Sequence, residues 1–271
     1  MTQSEYLSEN LLDRIGRRAI EFVLLAHELS AFAVISLSVM LRRGDSPRRV
    51  MRPLIRAQIH NAGVRLLPMV TLIGTALGLL VIAQTTVLLT RLGAQQYAGL
   101  IMVTVVVREL APLLTAILVL ARAGTAIVVE LGTLRAFGEV LALESLGIDP
   151  IHYLVMPRMI GLAVAVFCLT VYLILTALLS GFLFGFLQGV VLKPGDYVAQ
   201  LGDALLWQDF ALLGLKTFVF GIVIAVVTCY QGLARPLDID HVAEVTARTV
   251  VQSLTTCVIL DAFFMVGYIF V

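Results

Sequence analysis

The sequence predicts an all-α integral membrane protein. Three observations predict it. Of 271 residues, 60% are apolar and only 14% are charged, against roughly 45–50% and about 25% in a soluble domain. Mean hydropathy is +1.00. Several runs reach the ~20 apolar residues that a membrane-crossing helix requires. This balance excludes an ordinary cytosolic enzyme, a disordered chain and a nucleic-acid binder. A net charge of +1 gives no global bias, so any basic patch is local. Cys168, Cys229 and Cys257 all fall in apolar runs. They read as small core residues rather than a disulfide framework or a metal site.

Five spans follow in order. Residues 66–90 carry no charge before Arg91, and residues 98–121 carry Arg108 and Glu109. Residues 154–189, within an apolar run reaching 192, hold only Arg158 near the start and exceed one bilayer thickness. Tilt or extension beyond the membrane is expected there. Residues 211–233 contain Lys216, and residues 249–271 contain Asp261. The N-terminal stretch 1–41 is set apart as a tail and helix, with 42–271 as one domain. Within it, residues 19–41 are apolar enough to cross. However, Arg14, Arg17, Arg18, Glu21 and Glu28 recur on one helical face. That polar stripe favours an amphipathic helix lying in the interface over a sixth span.

Orientation follows from the basic residues. Arg42, Arg43, Arg48, Arg49, Arg52, Arg56 and Arg65 crowd residues 42–65, read here as a loop, whereas 91–97 carries only Arg91. Segments 122–153 and 234–248 are again basic, and 193–210 sets Lys193 against Asp196, Asp203 and Asp209. The basic segments therefore face the cytoplasm, and the C-terminus faces the opposite side. The arginines of 42–56 either set topology alone or also touch anionic headgroups.

Catalytic patterns are missing from the sequence. It has no Gly-x-x-x-x-Gly-Lys-Ser/Thr phosphate loop, no Gly-x-Ser-x-Gly elbow, and no second histidine four residues after His27. The expectation is a non-enzyme with no metal and no cofactor of its own. Chemistry concentrates instead in Arg108, Glu109, Lys216 and Asp261. Each would cost at least ~2.5 kcal/mol unpaired at a helix centre. Glu109 with Lys216, and Arg108 with Asp261, are the expected pairs. Two readings fit them: a stabilising ion-pair network, or polar groups along a substrate path. Gly74 and Gly78, and Gly181, Gly185 and Gly189, have small-x-x-x-small spacing that suits close helix packing within the chain.

The segment 122–150 carries Glu130, Arg135, Glu139 and Glu144 between Leu134, Phe137, Leu141 and Leu143, and it stops at Gly147 and Pro150. A short amphipathic cytoplasmic helix results. It either lies on the membrane or docks in a partner's groove, and its acidic side chains favour the groove.

Arg108-Glu109-Leu110-Ala111-Pro112, Ala121–Ala126, Glu130-Leu131-Gly132-Thr133-Leu134-Arg135, Ala142-Leu143-Glu144, Gly147-Ile148-Asp149-Pro150 and Met156-Pro157-Arg158 together resemble the MlaE/YrbE permease family. So does Thr246–Val251 followed by Leu260-Asp261. These are the membrane subunits of ABC transporters associated with MCE-domain proteins. The likeness spans about residues 50–271, with departures at Ala111 and at Gly138-Glu139. It implies five spans with an N-terminal interfacial helix, and a homodimer enclosing a lipid cavity. It implies a coupling helix over 131–147, with Glu130, Arg135, Gly138, Glu139 and Glu144 facing a separate ATPase subunit that carries ATP and Mg. Arg108, Glu109, Lys216 and Asp261 would lie on the lipid path or gate it. Partners would be that ATPase, an MCE-domain protein, a small STAS-domain protein and phospholipid, in a bacterial inner membrane. A proton-coupled transporter using Glu109 or Asp261 and a non-transporting scaffold are the rival readings.

Overall fold

The computed structural model describes residues 27–39, 48–93, 98–187, 202, 207–234 and 242–269. All its regular structure there is helical, and the described residues contain no strand. Five helices are long and apolar enough to cross a membrane: Met51–Thr85, Gly99–Ala136, Ile151–Gly185, Trp207–Leu233 and Glu244–Gly267. The chain is therefore an all-α membrane protein with five candidate spans, as the sequence predicts. It divides into two compact units, Met1–Asp45 and Ser46–Val271.

In the first unit, the described residues form one short apolar helix, α1 (His27–Val39). Glu28 of the polar stripe lies on it, whereas Arg14, Arg17, Arg18 and Glu21 lie outside the described residues.

The second unit opens with α2 (Arg48–Ala62), so most of 42–65 is a helix rather than a loop. Arginine favours helices, and the one proline of α2, Pro53, lies past its first turn and takes one backbone donor out of the helix. Arg52, Arg56 and His60 are exposed, four residues apart, while Met51 and Ala62 are buried. After a 3-10 turn at Val64–Leu66 comes α3 (Leu67–Leu92). A small α4 (Ala98–Ile101) leads into a π-helical stretch, Met102–Leu110, then α5 (Ala111–Val119), a second π turn at Leu120–Gly124, and α6 (Thr125–Ala136). These pieces stack into the single helix Gly99–Ala136 of 38 residues. At 1.5 Å per residue it is about 57 Å long, nearly twice the hydrocarbon core.

The sequence places one helix over 131–147, but the structure breaks it. Gly138 sits at φ +75, a left-handed conformation that costs other residues roughly 1–2 kcal/mol. It ends α6 and starts the separate α7 (Glu139–Ser145). Gly147, also at φ +75, closes α7: its N–H donates to the Glu144 carbonyl, and the Ile148 N–H donates to the Leu143 carbonyl. That pair of bonds is the Schellman arrangement.

A π turn at Ile151–Val155 leads into α8 (Met156–Leu187), of 32 residues. Its ~48 Å exceeds one bilayer thickness, as the long apolar run predicts. Two further long helices follow, α9 (Trp207–Ala234) and α10 (Val242–Ile269). Helix α8 is the centre of the unit, packing against α2, α3, α5 and α9, and α9 in turn packs against α6 and α10. The α3–α8 seam is close because Gly74 and Gly78 face Thr176, Ala177 and Ser180, where any Cβ would collide. Thr71 and Tyr172 share a 2.8 Å hydrogen bond across it, and Ser180 donates to the Thr75 carbonyl at 3.2 Å. Buried Thr170, Thr217, Thr228 and Thr249 each return their hydroxyl to a carbonyl four residues back. A polar group facing hydrocarbon must be satisfied internally, and this local bond does so.

Candidate functional site

The charges of the spans gather into one cluster. Lys216, on α9, is fully buried. Its ammonium lies 2.7 Å from Asp261 Oδ1 of α10 and 3.4 Å from Glu109 Oε2, and it donates to the Arg108 carbonyl at 2.9 Å. Three oxygens thus surround the ammonium, two of them, Glu109 Oε2 and the Arg108 carbonyl, as hydrogen-bond acceptors and Asp261 Oδ1 as an ion-pair partner. The carbonyl acceptor has a local cause. Pro112 has no N–H, so the Arg108 carbonyl lacks its α-helical donor, and the lysine of another helix donates to it instead.

The expected Glu109–Lys216 pair is present. The expected Arg108–Asp261 pair is replaced. Asp261 goes to Lys216, and Arg108 pairs with Asp209: Nη2 donates to Oδ2 at 3.0 Å, and Nε lies 2.9 Å from Oδ1 at ion-pair distance. A hydrogen bond between ionised partners is stronger than one between neutral groups. Asp209 is only 4% exposed. The sequence places it in the extramembrane loop 193–210, but α9 begins at Trp207 and holds Asp209 in its first turn. An acid there is favoured by the partial positive charge of a helix N-terminus, and that position was the legible signal. With Asp209 included, the cluster has two cations against three carboxylates. Lys216 is sealed within the chain, whereas the Arg108 and Glu109 side chains keep 23% and 25% exposure. The cluster therefore has a closed lysine at its centre and an accessible edge. It bonds the 99–136 helix, α9 and α10 to one another, and the edge can meet a polar group.

At the other end of the long helix, the five expected coupling residues separate into two sets. Gly138, Glu139 and Glu144 are exposed on or beside α7. Phe137, Leu141 and Leu146 stand out around them, each more than 70% exposed, while Val140 packs inward. Glu130 and Arg135 instead serve contacts inside the chain. Glu130 Oε1 lies 2.9 Å from Arg158 Nη2, and Arg135 Nη1 donates to the Leu233 carbonyl. Arg158 is 7% exposed and anchors α6 to the start of α8. It lay inside a motif of the sequence but was not singled out.

Five apolar helices with a buried charge cluster and an exposed apolar knob beyond them make this a multi-pass membrane protein. The family model "Permease MlaE" matches residues 55–266. The chain belongs to the MlaE permease family. It is 29% identical to a probable ABC transporter permease protein of Rickettsia felis, over 95% of this chain and 99% of that one. It is 31% identical to the chloroplastic protein TRIGALACTOSYLDIACYLGLYCEROL 1 of Arabidopsis thaliana, over 83% of this chain and 65% of that one. It is 25% identical to the intermembrane phospholipid transport system permease protein MlaE of Haemophilus influenzae, over 93% and 95%.

Proposed function

We propose that this chain is the membrane subunit of an ABC transporter that moves phospholipid or a related lipid between the inner and outer membranes of a bacterial envelope. The observation that carries this is the knob formed by Phe137, Leu141 and Leu146 around α7, exposed at the end of a helix about 57 Å long. Apolar side chains held in water by two left-handed glycines suit insertion into a partner's groove. The partner is the ATPase, which supplies ATP and Mg. Helix α7 is then the coupling helix, and Gly138, Glu139 and Glu144 lie in its docking surface, while Glu130 and Arg135 brace the helix behind it.

Two copies of the chain enclose the lipid. ATP-driven closure of the ATPase pair pushes α7, the long helix carries the displacement into the spans, and the lipid is expelled. Apolar walls hold acyl chains, and the accessible edge of the Arg108–Glu109 cluster meets the headgroup phosphate. An MCE-domain protein on the far side receives or delivers the lipid, a small STAS-domain protein accompanies the ATPase, and the C-terminus lies on the periplasmic side.

The test is purification of the intact complex followed by ATP-dependent lipid transfer between labelled vesicles. Co-purification of an ATPase and phospholipid, with transfer that stops without ATP, supports the proposal. Transfer by the chain alone under a proton gradient would replace it with the proton-coupled reading. Neutral phenotypes at all four of Arg108, Glu109, Lys216 and Asp261 would reduce the chain to a scaffold.

A further inference from the structure

A cavity of about 470 Å³ lies between α2, the end of α6, α7 and the start of α8, away from the Lys216 cluster. We propose that it binds a single-chain amphiphile with an anionic head, a carboxylate or a phosphate monoester. This goes beyond the transport reading, because it concerns a second ligand site behind α7 rather than the transported lipid.

The volume lies within the ~300–1,000 Å³ of small-molecule sites. Its wall is divided in the way such a ligand requires. Leu54, Leu134, Leu143 and Leu154 give an apolar side, and Gln58 and Asn61 give neutral polar groups. Arg158 also lines it and is more than nine-tenths buried. One arm of its guanidinium holds Glu130 at 2.9 Å, while Nη1 is buried with no hydrogen-bond partner. A buried charged donor left unmade is costly, and an anionic oxygen is the acceptor that relieves it best. The two carboxylates in the wall do not meet that need. Glu130 is already engaged by Nη2, and Glu139 is exposed to solvent. A head group on Arg158 would lay its chain along the leucines, between α2 and the helix proposed to dock the ATPase. A ligand there wedges α7 away from α2 and sets how far α7 can move.

The test uses the full chain in nanodiscs with a diazirine-bearing fatty acid, mapped by mass spectrometry after illumination. Labelling is expected to concentrate on residues 54–61 and 139–158. It should be displaced by dodecanoate or dodecyl phosphate but not by dodecylamine, and the one of the two anions that displaces at lower concentration identifies the head group. Arg158→Gln should weaken labelling about tenfold, the loss of one charged hydrogen bond. Since that change breaks the Glu130 pair and can impair folding, Leu143→Trp is the second variant: it fills the cavity and leaves the ion pair intact. It should abolish the local labelling. Label spread evenly over the lipid-facing helices, label indifferent to Leu143→Trp, or equal displacement by dodecylamine would each overturn the proposal.

Discussion

At the scale of single residues, Lys216 decides most. Its ammonium is surrounded by Asp261, Glu109 and the Arg108 carbonyl. Lys216→Met removes the cation and leaves two carboxylates facing one another without it. Breaking one side of such a pair costs about 3–5 kcal/mol, whereas replacing both sides by apolar groups is often neutral. Lys216→Met should therefore lower the thermal midpoint of the purified complex, and adding Asp261→Leu should restore part of the loss. A double variant no more stable than the single would show that the pair is not the unit. Arg108 gives a separate prediction. Asp209→Asn keeps the shape of its partner but removes the charge, and it should weaken lipid transfer more than it lowers the midpoint. A variant with wild-type transfer would assign the Arg108–Asp209 contact to stability alone. The four intramembrane charges were legible because a charge in an apolar run is conspicuous. Asp209 was missed because hydropathy locates the hydrocarbon edge, and only the preference of acids for a first helical turn pointed to it. The right partner for Arg108 was hidden for the same reason.

At the scale of elements, the break at Gly138 matters most. Gly138→Val forces a β-branched residue into φ +75, a strain of at least roughly 1–2 kcal/mol. The bend between α6 and α7 should open, and ATP hydrolysis should continue while lipid transfer falls. Tight coupling retained in this variant would remove α7 from the path of force. A second prediction concerns charge. Glu144→Lys, on the exposed face of α7, should weaken ATPase co-purification, and an unchanged yield would place the docking surface elsewhere. The helices themselves were legible from long apolar runs, and α8 was expected to overrun the bilayer. Two elements were misjudged. The density of arginine in 42–65 marked topology but concealed α2, whose apolar residues are too few for a span. Gly138 was read as part of one helix because a single glycine does not disclose its φ.

At the scale of the molecule, the seam of Gly74 and Gly78 against α8 and the cluster at Lys216 hold the spans at two levels. A larger side chain at Gly78 should separate α3 from α8 and destabilise the chain without touching either end of the long helix. An unchanged melting midpoint would mean that the seam is soft. The proposed orientation is checked by fusing reporters to the C-terminus. A periplasmic phosphatase should be active there and a cytoplasmic fluorophore dark, and the reverse pattern would invert the topology. The composition alone fixed the class of molecule, since 60% apolar residues leave a soluble fold no way to hide them. The arrangement of the spans was not readable, because lipid-facing and helix-facing sides are equally apolar.

The charge cluster also sets a timetable for biosynthesis. Asp209 lies 101 residues after Arg108, and Lys216 lies 107 after Glu109. At about 5–20 residues per second, the partners leave the ribosome roughly 5–20 seconds later. Until then the second span carries two unmatched charges and a proline through an apolar environment. It should enter the bilayer poorly by itself and become committed only once the fourth span arrives. Nascent chains ended near residue 195 should leave the second span accessible to protease, and chains extended past 235 should protect it. Insertion of this protein is then a cooperative event spread over half its length: Lys216 brings Glu109 its cation, and Asp261 of the last span completes the cluster.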